Sequence, residues 1–195
     1  MKVETARFVL AAYRREDLLR DGLPEVALVG RSNVGKSSLL NRLVARSKLA
    51  RISSTPGRTR AINYFSINER FYLVDLPGYG YAKVSKAERN TWAKLMDLYF
   101  QQEHERRLLI QLVDARVGAT PLDVQARDYL QSLGANGEVV ATKIDKVKRG
   151  QRKAALDRIS ETLGLGDRSP IPFSAQTGEG TKDIWRVIDT HVSGS

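Results

Sequence analysis

The 195-residue chain contains no cysteine, which excludes disulfides, thiolate metal sites and thiol nucleophiles together. Its two histidines, His104 and His191, are too few and too separated for a zinc cage. A metal ion here has to be held by oxygen. No apolar run approaches the roughly 20 residues that span a bilayer, and residues 1–12 lack the apolar core and small-residue cleavage site of a secretory leader. A cytoplasmic protein without a membrane partner is expected.

Acidic residues are missing from one long stretch. None falls between positions 26 and 68, while Arg31, Lys36, Arg42, Arg46, Lys48, Arg51, Arg58 and Arg60 all lie inside it. With 32 Lys+Arg against 22 Asp+Glu the formal charge is +10, which favours a polyanionic partner through counterion release. A second basic run, Lys143, Lys146, Lys148, Arg149, Arg152 and Lys153, either extends the same face or is the solvated start of a helix.

Short apolar runs alternate with helical patterns along the chain. Strands are predicted at 26–29, 62–67, 71–74, 108–113, 139–142 and 171–174, and helices at 37–45, 86–102, 121–133, 152–163 and 181–192. Asn68-Glu69 offers a tight turn between two of the strands. This order predicts an α/β fold, a mostly parallel sheet of six strands or slightly more with helices on both faces. At this length one hydrophobic core suffices, so a single domain over 1–195 is expected, with 1–24 as a short N-terminal extension. The polar segments 47–60 and 76–84 read as loops.

Residues 30–38 read GRSNVGKSS, and Gly30 to Ser37 fits the phosphate-loop pattern G-x-x-x-x-G-K-[ST] between a strand and a helix. Gly30 and Gly35 let the amides of Arg31, Ser32, Asn33, Val34 and their neighbours, as far as Ser38, curl around phosphates. The helix dipole adds attraction, Lys36 reaches the terminal phosphates, and Ser37 offers a hydroxyl to Mg²⁺. Asp75-Leu76-Pro77-Gly78 ends the next strand pair as D-x-x-G. There a carboxylate holds a magnesium-bound water and the Gly78 amide meets a γ-phosphate.

Thr142-Lys143-Ile144-Asp145 approximates the N-K-x-D pattern. A carboxylate at Asp145 accepts from both the ring N–H and the exocyclic amine of guanine, and adenine offers neither donor there. Thr142 replaces the asparagine, which removes the amide that buttresses this loop. Ser174-Ala175-Gln176 after the last strand matches the S-A-x loop whose backbone N–H touches the guanine oxygen, and Phe173 before it joins Ser174 and Ala175 among the candidate nucleotide-contacting residues. Within Gly57-Arg58-Thr59-Arg60-Ala61, Thr59 is the candidate second hydroxyl ligand of Mg²⁺ in the triphosphate state, with Thr55 as alternative. The metal set is therefore Ser37, Thr59 and Asp75.

With these residues placed, the chain resembles the EngB (YsxC/YihA) family of translation-factor-related GTPases across nearly its full length. The strings that carry the likeness are GRSNVGKSS at 30–38, PGRTR at 56–60, VDLPGYGYAK at 74–83 and ATKID at 141–145, and a threonine at position 142 is itself a family trait. The resemblance implies a Ras-like fold, Mg²⁺-dependent binding of GTP and GDP, and a role in assembling the large ribosomal subunit or its precursor. Contact with ribosomal RNA and links to cell division and septation come with it, and a monomer is expected. Ras-type enzymes orient the attacking water with a glutamine directly after D-x-x-G. Tyr79 stands there instead, so slow turnover is expected, with Lys36, Thr59, Gly78 and Asn33 as the catalytic set. Asn33 matches the asparagine by which some related GTPases ligate K⁺; its alternative role is to cap loop hydrogen bonds. A P-loop kinase or ATPase, and a nucleotide-gated RNA chaperone with negligible hydrolysis, are the competing readings.

Overall fold

A computed structural model describes residues 1–45, 61–80, 86–102, 106–135 and 137–194. The strands are β1 (Ala6–Ala12), β2 (Glu25–Gly30), β3 (Ile62–Ile67), β4 (Phe71–Asp75), β5 (Arg107–Asp114), β6 (Gly137–Thr142) and β7 (Ile171–Pro172), and the helices are α1 (Lys36–Leu43), α2 (Lys86–Phe100), α3 (Pro121–Ser132), α4 (Arg152–Thr162) and α5 (Thr181–Ser193). They form a seven-stranded sheet in the order β1-β3-β4-β2-β5-β6-β7. From β4 to β7 the pairing is parallel, and β1 and β3 join antiparallel at one edge.

Every residue of β2 is buried, as a central parallel strand covered on both faces requires. Val26 and Leu28 pack with Leu39, Leu40 and Leu43 of α1 and with Ile184, Ile188 and Val192 of α5. Ala27 and Val29 face the other way, with Leu95, Met96 and Tyr99 of α2 and Ala126 and Leu130 of α3. A third apolar group, including Val139, Ala141 and Ile159, seats α4 beside β6. Helix α3 starts cleanly because Pro121 fits its first turn and Thr120 and Asp123 form a reciprocal capping box.

Two elements depart from the reading of the sequence. Residues 1–24 are more than an extension, since β1 lies within them as an edge strand of the sheet. Its signal is weak because the pairing shifts register between Phe8 and Leu10, and its outer side chains remain partly exposed. Asn68 secures the approach to β1. Asn68 and Glu69 take positive φ of 50° and 56°, as a tight hairpin turn demands. The Asn68 side chain accepts from the amides of Glu4 and Thr5 at 2.8 and 3.0 Å and donates to the Lys2 carbonyl at 2.8 Å. In the second departure, β7 ends at Pro172, which leaves Phe173 and Ser174 to the loop that follows.

A buried polar knot ties β2 and β5 to α2. Glu25 lies directly beside Arg107 in the parallel register, accepts from Arg107 Nε at 3.1 Å and from the Tyr99 hydroxyl at 2.6 Å, and the guanidinium sits 4.1 Å above the Tyr99 ring. Arg107→Ala removes this cation from the buried Glu25 carboxylate. Breaking a buried pair in this way costs about 3–5 kcal/mol, so the melting temperature is expected to fall by roughly 10 °C; an unchanged melt would show the knot to be energetically idle.

Candidate nucleotide-binding site

The order of strands reverses at β2, which has β4 on one side and β5 on the other. In open α/β sheets ligands bind outside the carboxyl ends of the strands at such a switch point. Gly30, Asp75, Asp114 and Thr142 are the last residues of β2, β4, β5 and β6, so one edge of the sheet gathers the phosphate loop, two carboxylates and the T-K-x-D segment.

The phosphate loop has no room for side chains where it turns. A Cβ on Gly30 would lie 2.8 Å from Val34 Cγ1 and 2.9 Å from the Leu112 carbonyl, and Gly35 has φ +117°, which disfavours any residue with a side chain. Asn33 takes the left-handed conformation at φ 62°, leaving its side chain exposed. Lys36 and Ser37 open α1 immediately after the turn, the position where unpaired amides and the dipole favour anions. Ser38 follows on the exposed side of the helix.

Thr142 supports this loop, contrary to the expectation that losing the asparagine amide removes a buttress. Its buried hydroxyl lies 2.7 Å from the Val34 carbonyl and 3.1 Å from that of Val113. With one proton to give, the nearer carbonyl is the better acceptor. Lys143, itself at φ 58°, sends its ammonium to the Asn33 carbonyl at 2.7 Å and to Asp114 at 2.9 Å. Two consecutive carbonyls of the phosphate loop are thus held by two consecutive side chains of the T-K-x-D segment.

Asp114 completes the brace. Partial burial works to raise its pKa, but hydrogen bonds from Arg116 and Lys143 prevail and hold it at about 2. Arg116 grips it bidentately at 3.1 and 2.8 Å, a geometry well suited to guanidinium and carboxylate. Neither residue was among the sequence candidates. The available signal was a second carboxylate at the end of an apolar strand, the same placement as Asp75.

Ile144 is fully buried and its amide donates to the Phe173 carbonyl at 3.1 Å, which joins the T-K-x-D and S-A-x loops. A hydrogen bond from the buried Ser174 hydroxyl holds the Asp145 carboxyl below its ordinary value, with desolvation opposing. Ala175 packs at the margin of the core beyond Ser174. Arg152 clamps Glu179 at 3.0 Å to both carboxylate oxygens, and the Glu179 carbonyl accepts from the Ser174 amide at 3.1 Å.

The D-x-x-G segment folds against the phosphate loop. Leu76 and Pro77 are buried, and the Leu76 amide donates to Leu28 at 3.0 Å. Asp75 is buried, which raises its pKa, while Lys36 pulls it the other way from 3.9 Å. Its Oδ1 has no hydrogen-bond partner among the described residues. A Cβ on Gly78 would lie 3.1 Å from Lys36 Nζ, so this glycine approaches the phosphate loop closely.

Ala61 is buried at the start of β3, while Gly57, Arg58, Thr59, Arg60 and the alternative Thr55 lie outside the described residues, as do Arg46, Lys48 and Arg51. The second basic run is largely taken up by partners. Lys143 meets Asp114, Lys146 Asp145, Arg152 Glu179 and Lys153 Asp157, while Lys146, Lys148, Arg149 and Lys153 are exposed.

A phosphate loop between β2 and α1, a carboxylate and glycine after β4, and a carboxylate held for base reading after β6 define a P-loop GTPase of Ras-like fold. Residues 25–143 match the family described as 50S ribosome-binding GTPase. A probable GTP-binding protein EngB of Pelotomaculum thermopropionicum is 50% identical over 193 residues, 98% of each chain. That of Heliobacterium modesticaldum is 46% identical over 195 residues, 100% of this chain and 95% of the relative. A crystal structure of a probable GTP-binding protein EngB has TM-score 0.72 at 23% identity over 88% of this chain and all of that one. Era, crystallised with MgGDPNP and a segment of 16S ribosomal RNA, has TM-score 0.63 at 23% identity over 88% of this chain and 57% of its own. The chain belongs to the EngB family of GTP-binding proteins.

Thr142→Val keeps the shape of the side chain and removes the donor to the Val34 carbonyl. One lost hydrogen bond of about 1 kcal/mol weakens GDP binding by about fivefold, measured by calorimetry with the far-UV circular dichroism unchanged. Wild-type affinity would contradict the bracing role of this hydroxyl.

Proposed function

We propose that this GTPase works as a slow, guanine-specific switch in assembly of the large ribosomal subunit. The observation that carries the reading is the mechanical union of two tasks. The segment that holds Asp145 ready for a base also holds, through Thr142 and Lys143, the carbonyls of the loop that grips phosphates. That arrangement suits guanosine polyphosphates and gives a P-loop kinase or ATPase no use for Asp145.

In this reading the amides of residues 30–38 and Lys36 bind the phosphates, Asp145 reads guanine, the loop at Ser174 and Ala175 closes over the base oxygen, and the Gly78 amide meets the γ-phosphate. The donors present fit magnesium. Asp75 carries a buried carboxylate oxygen without a hydrogen-bond partner among the described residues, Ser37 supplies a hydroxyl and Thr59 a second. Ser37, Thr59 and Asp75 would hold magnesium, which would supply positive charge against the phosphates.

Tyr79 turns its hydroxyl away from the phosphate loop, toward Asp123 at 2.9 Å, so it cannot position the attacking water. That role falls to K⁺ held by Asn33 or to a ribosomal partner, and intrinsic turnover is correspondingly slow. The chain acts as one unit and as a monomer in the cytoplasm. The basic stretch through Arg46, Lys48 and Arg51 meets ribosomal RNA by its phosphates, and the links to cell division and septation follow from that role.

The test is co-sedimentation with large ribosomal subunits in GTP, GDP and no nucleotide, with hydrolysis followed in sodium and potassium buffers. Binding is expected in GTP and release in GDP, with turnover low in sodium and raised by K⁺ or by subunits. Fast turnover in sodium alone would contradict the slow switch. Nucleotide-dependent binding without stimulated hydrolysis would favour the RNA chaperone.

A further inference from the structure

Tyr79 is the residue for which the chemistry so far has no use, yet it has more ties than any other in its segment. Its amide donates to the Gly30 carbonyl at 3.3 Å, and its carbonyl accepts from the Ser32 amide at 2.9 Å. Its hydroxyl donates to Asp123 Oδ1 at 2.9 Å and lies 3.4 Å from Gln111 Nε2. Gln111 is itself fixed to the Asp123 carbonyl at 3.0 Å. Asp123 is 1% exposed and Gln111 2%, and the other Asp123 oxygen accepts from the Thr120 amide and hydroxyl at 2.8 and 2.6 Å. The anchor is therefore a rigid, dry part of α3 and β5.

The backbone that this anchor holds lies where a third phosphate has to arrive. Gly78 stands against Lys36 Nζ so closely that a Cβ there would be 3.1 Å from it and 3.4 Å from the Ser32 amide. An amide of the phosphate loop is meanwhile spent on the Tyr79 carbonyl. A γ-phosphate that reaches Lys36 Nζ meets Gly78 close beside it, in the segment whose next residue holds the Ser32 amide. GDP ends one phosphate short and leaves the segment in place.

We infer that the Tyr79–Asp123 hydrogen bond is a latch on residues 78–80 that sets how strongly the site discriminates GTP from GDP. The inference rests on the guanine-nucleotide reading above. The latch stabilises the inward arrangement, so its free energy opposes the triphosphate and is indifferent to the diphosphate. A ligand shifts such an equilibrium only by its differential affinity for the two arrangements.

Tyr79→Phe removes one hydroxyl and keeps the ring, including its edge contact with Trp92 at 6.1 Å. The affinity ratio of GDPNP over GDP is expected to rise by about tenfold, the worth of a buried hydrogen bond to a charged group, with GDP affinity unchanged. Tyr129→Phe is the control. It removes a hydroxyl bond to Asp97 from the same aromatic group without touching residues 78–80, and its ratio stays at the wild-type value.

Trp92 gives a second readout, because its Nε1 donates to the Pro77 carbonyl at 2.7 Å. In a Trp185→Phe background, Trp92 emission changes with GDPNP and not with GDP, and Tyr79→Phe shifts the nucleotide-free spectrum part of the way. If wild type discriminates between the nucleotides and Tyr79→Phe leaves ratio and emission unchanged, or Tyr129→Phe moves them equally, the latch is overturned and the reading of the site stands. If wild type binds neither guanine nucleotide, the reading of the site falls and the latch with it.

Discussion

The hydroxyl of Thr142 reaches from the end of β6 to the carbonyl of Val34, and the ammonium of Lys143 reaches to the carbonyl of Asn33 beside it. A loop that binds anions through its own amides has to keep those amides aimed at the ligand. Its carbonyls point the other way, and something must fix them if the amides are to stay aimed. Here Thr142 and Lys143, from the same four-residue segment as Asp145, do this. In the proposed site a change at the base would therefore reach the phosphates without an intervening element.

The rest of the site depends on where strands end. Parallel pairing of β4, β2, β5 and β6 puts their carboxyl ends on one edge, and each end contributes one piece of chemistry. Asp75 is buried with an oxygen that has no hydrogen-bond partner among the described residues and a raised pKa, whereas Asp114 is pinned by two cations and lowered. Environment alone separates the roles of two aspartates in equivalent positions. Asp114 is consumed in bracing Lys143, and Asp75 is the one proposed to hold magnesium.

Much of this was legible in the sequence, because β2, α1 and the phosphate loop carry strong local signals. An unbroken apolar run, glycines at turns that admit no Cβ and a lysine opening a helix each follow from residues close in the chain. The edge strand β1 was not legible, since its alternation is interrupted by a register shift and its docking depends on Asn68, more than 60 residues away. The buttress was misread for a similar reason. A threonine hydroxyl is too short to replace an amide by analogy, and only the contact across 108 residues reveals that it bonds Val34 directly. Within the second basic run Lys146, Lys148, Arg149 and Lys153 are exposed, and only the pairing of Lys143 with Asp114 and of Arg152 with Glu179 was hidden by distance along the chain.

Membership of the EngB family joins these local facts to an activity, and the central claim is that one carboxylate chooses the base while a braced backbone grips the phosphates. Calorimetry of the purified protein with GDP, ADP and XDP, for wild type and Asp145→Asn, tests it most directly. The account predicts that wild type prefers GDP over ADP by roughly two orders of magnitude or more, and that the variant transfers its preference to XDP. Equal affinity of wild type for GDP and ADP would contradict it.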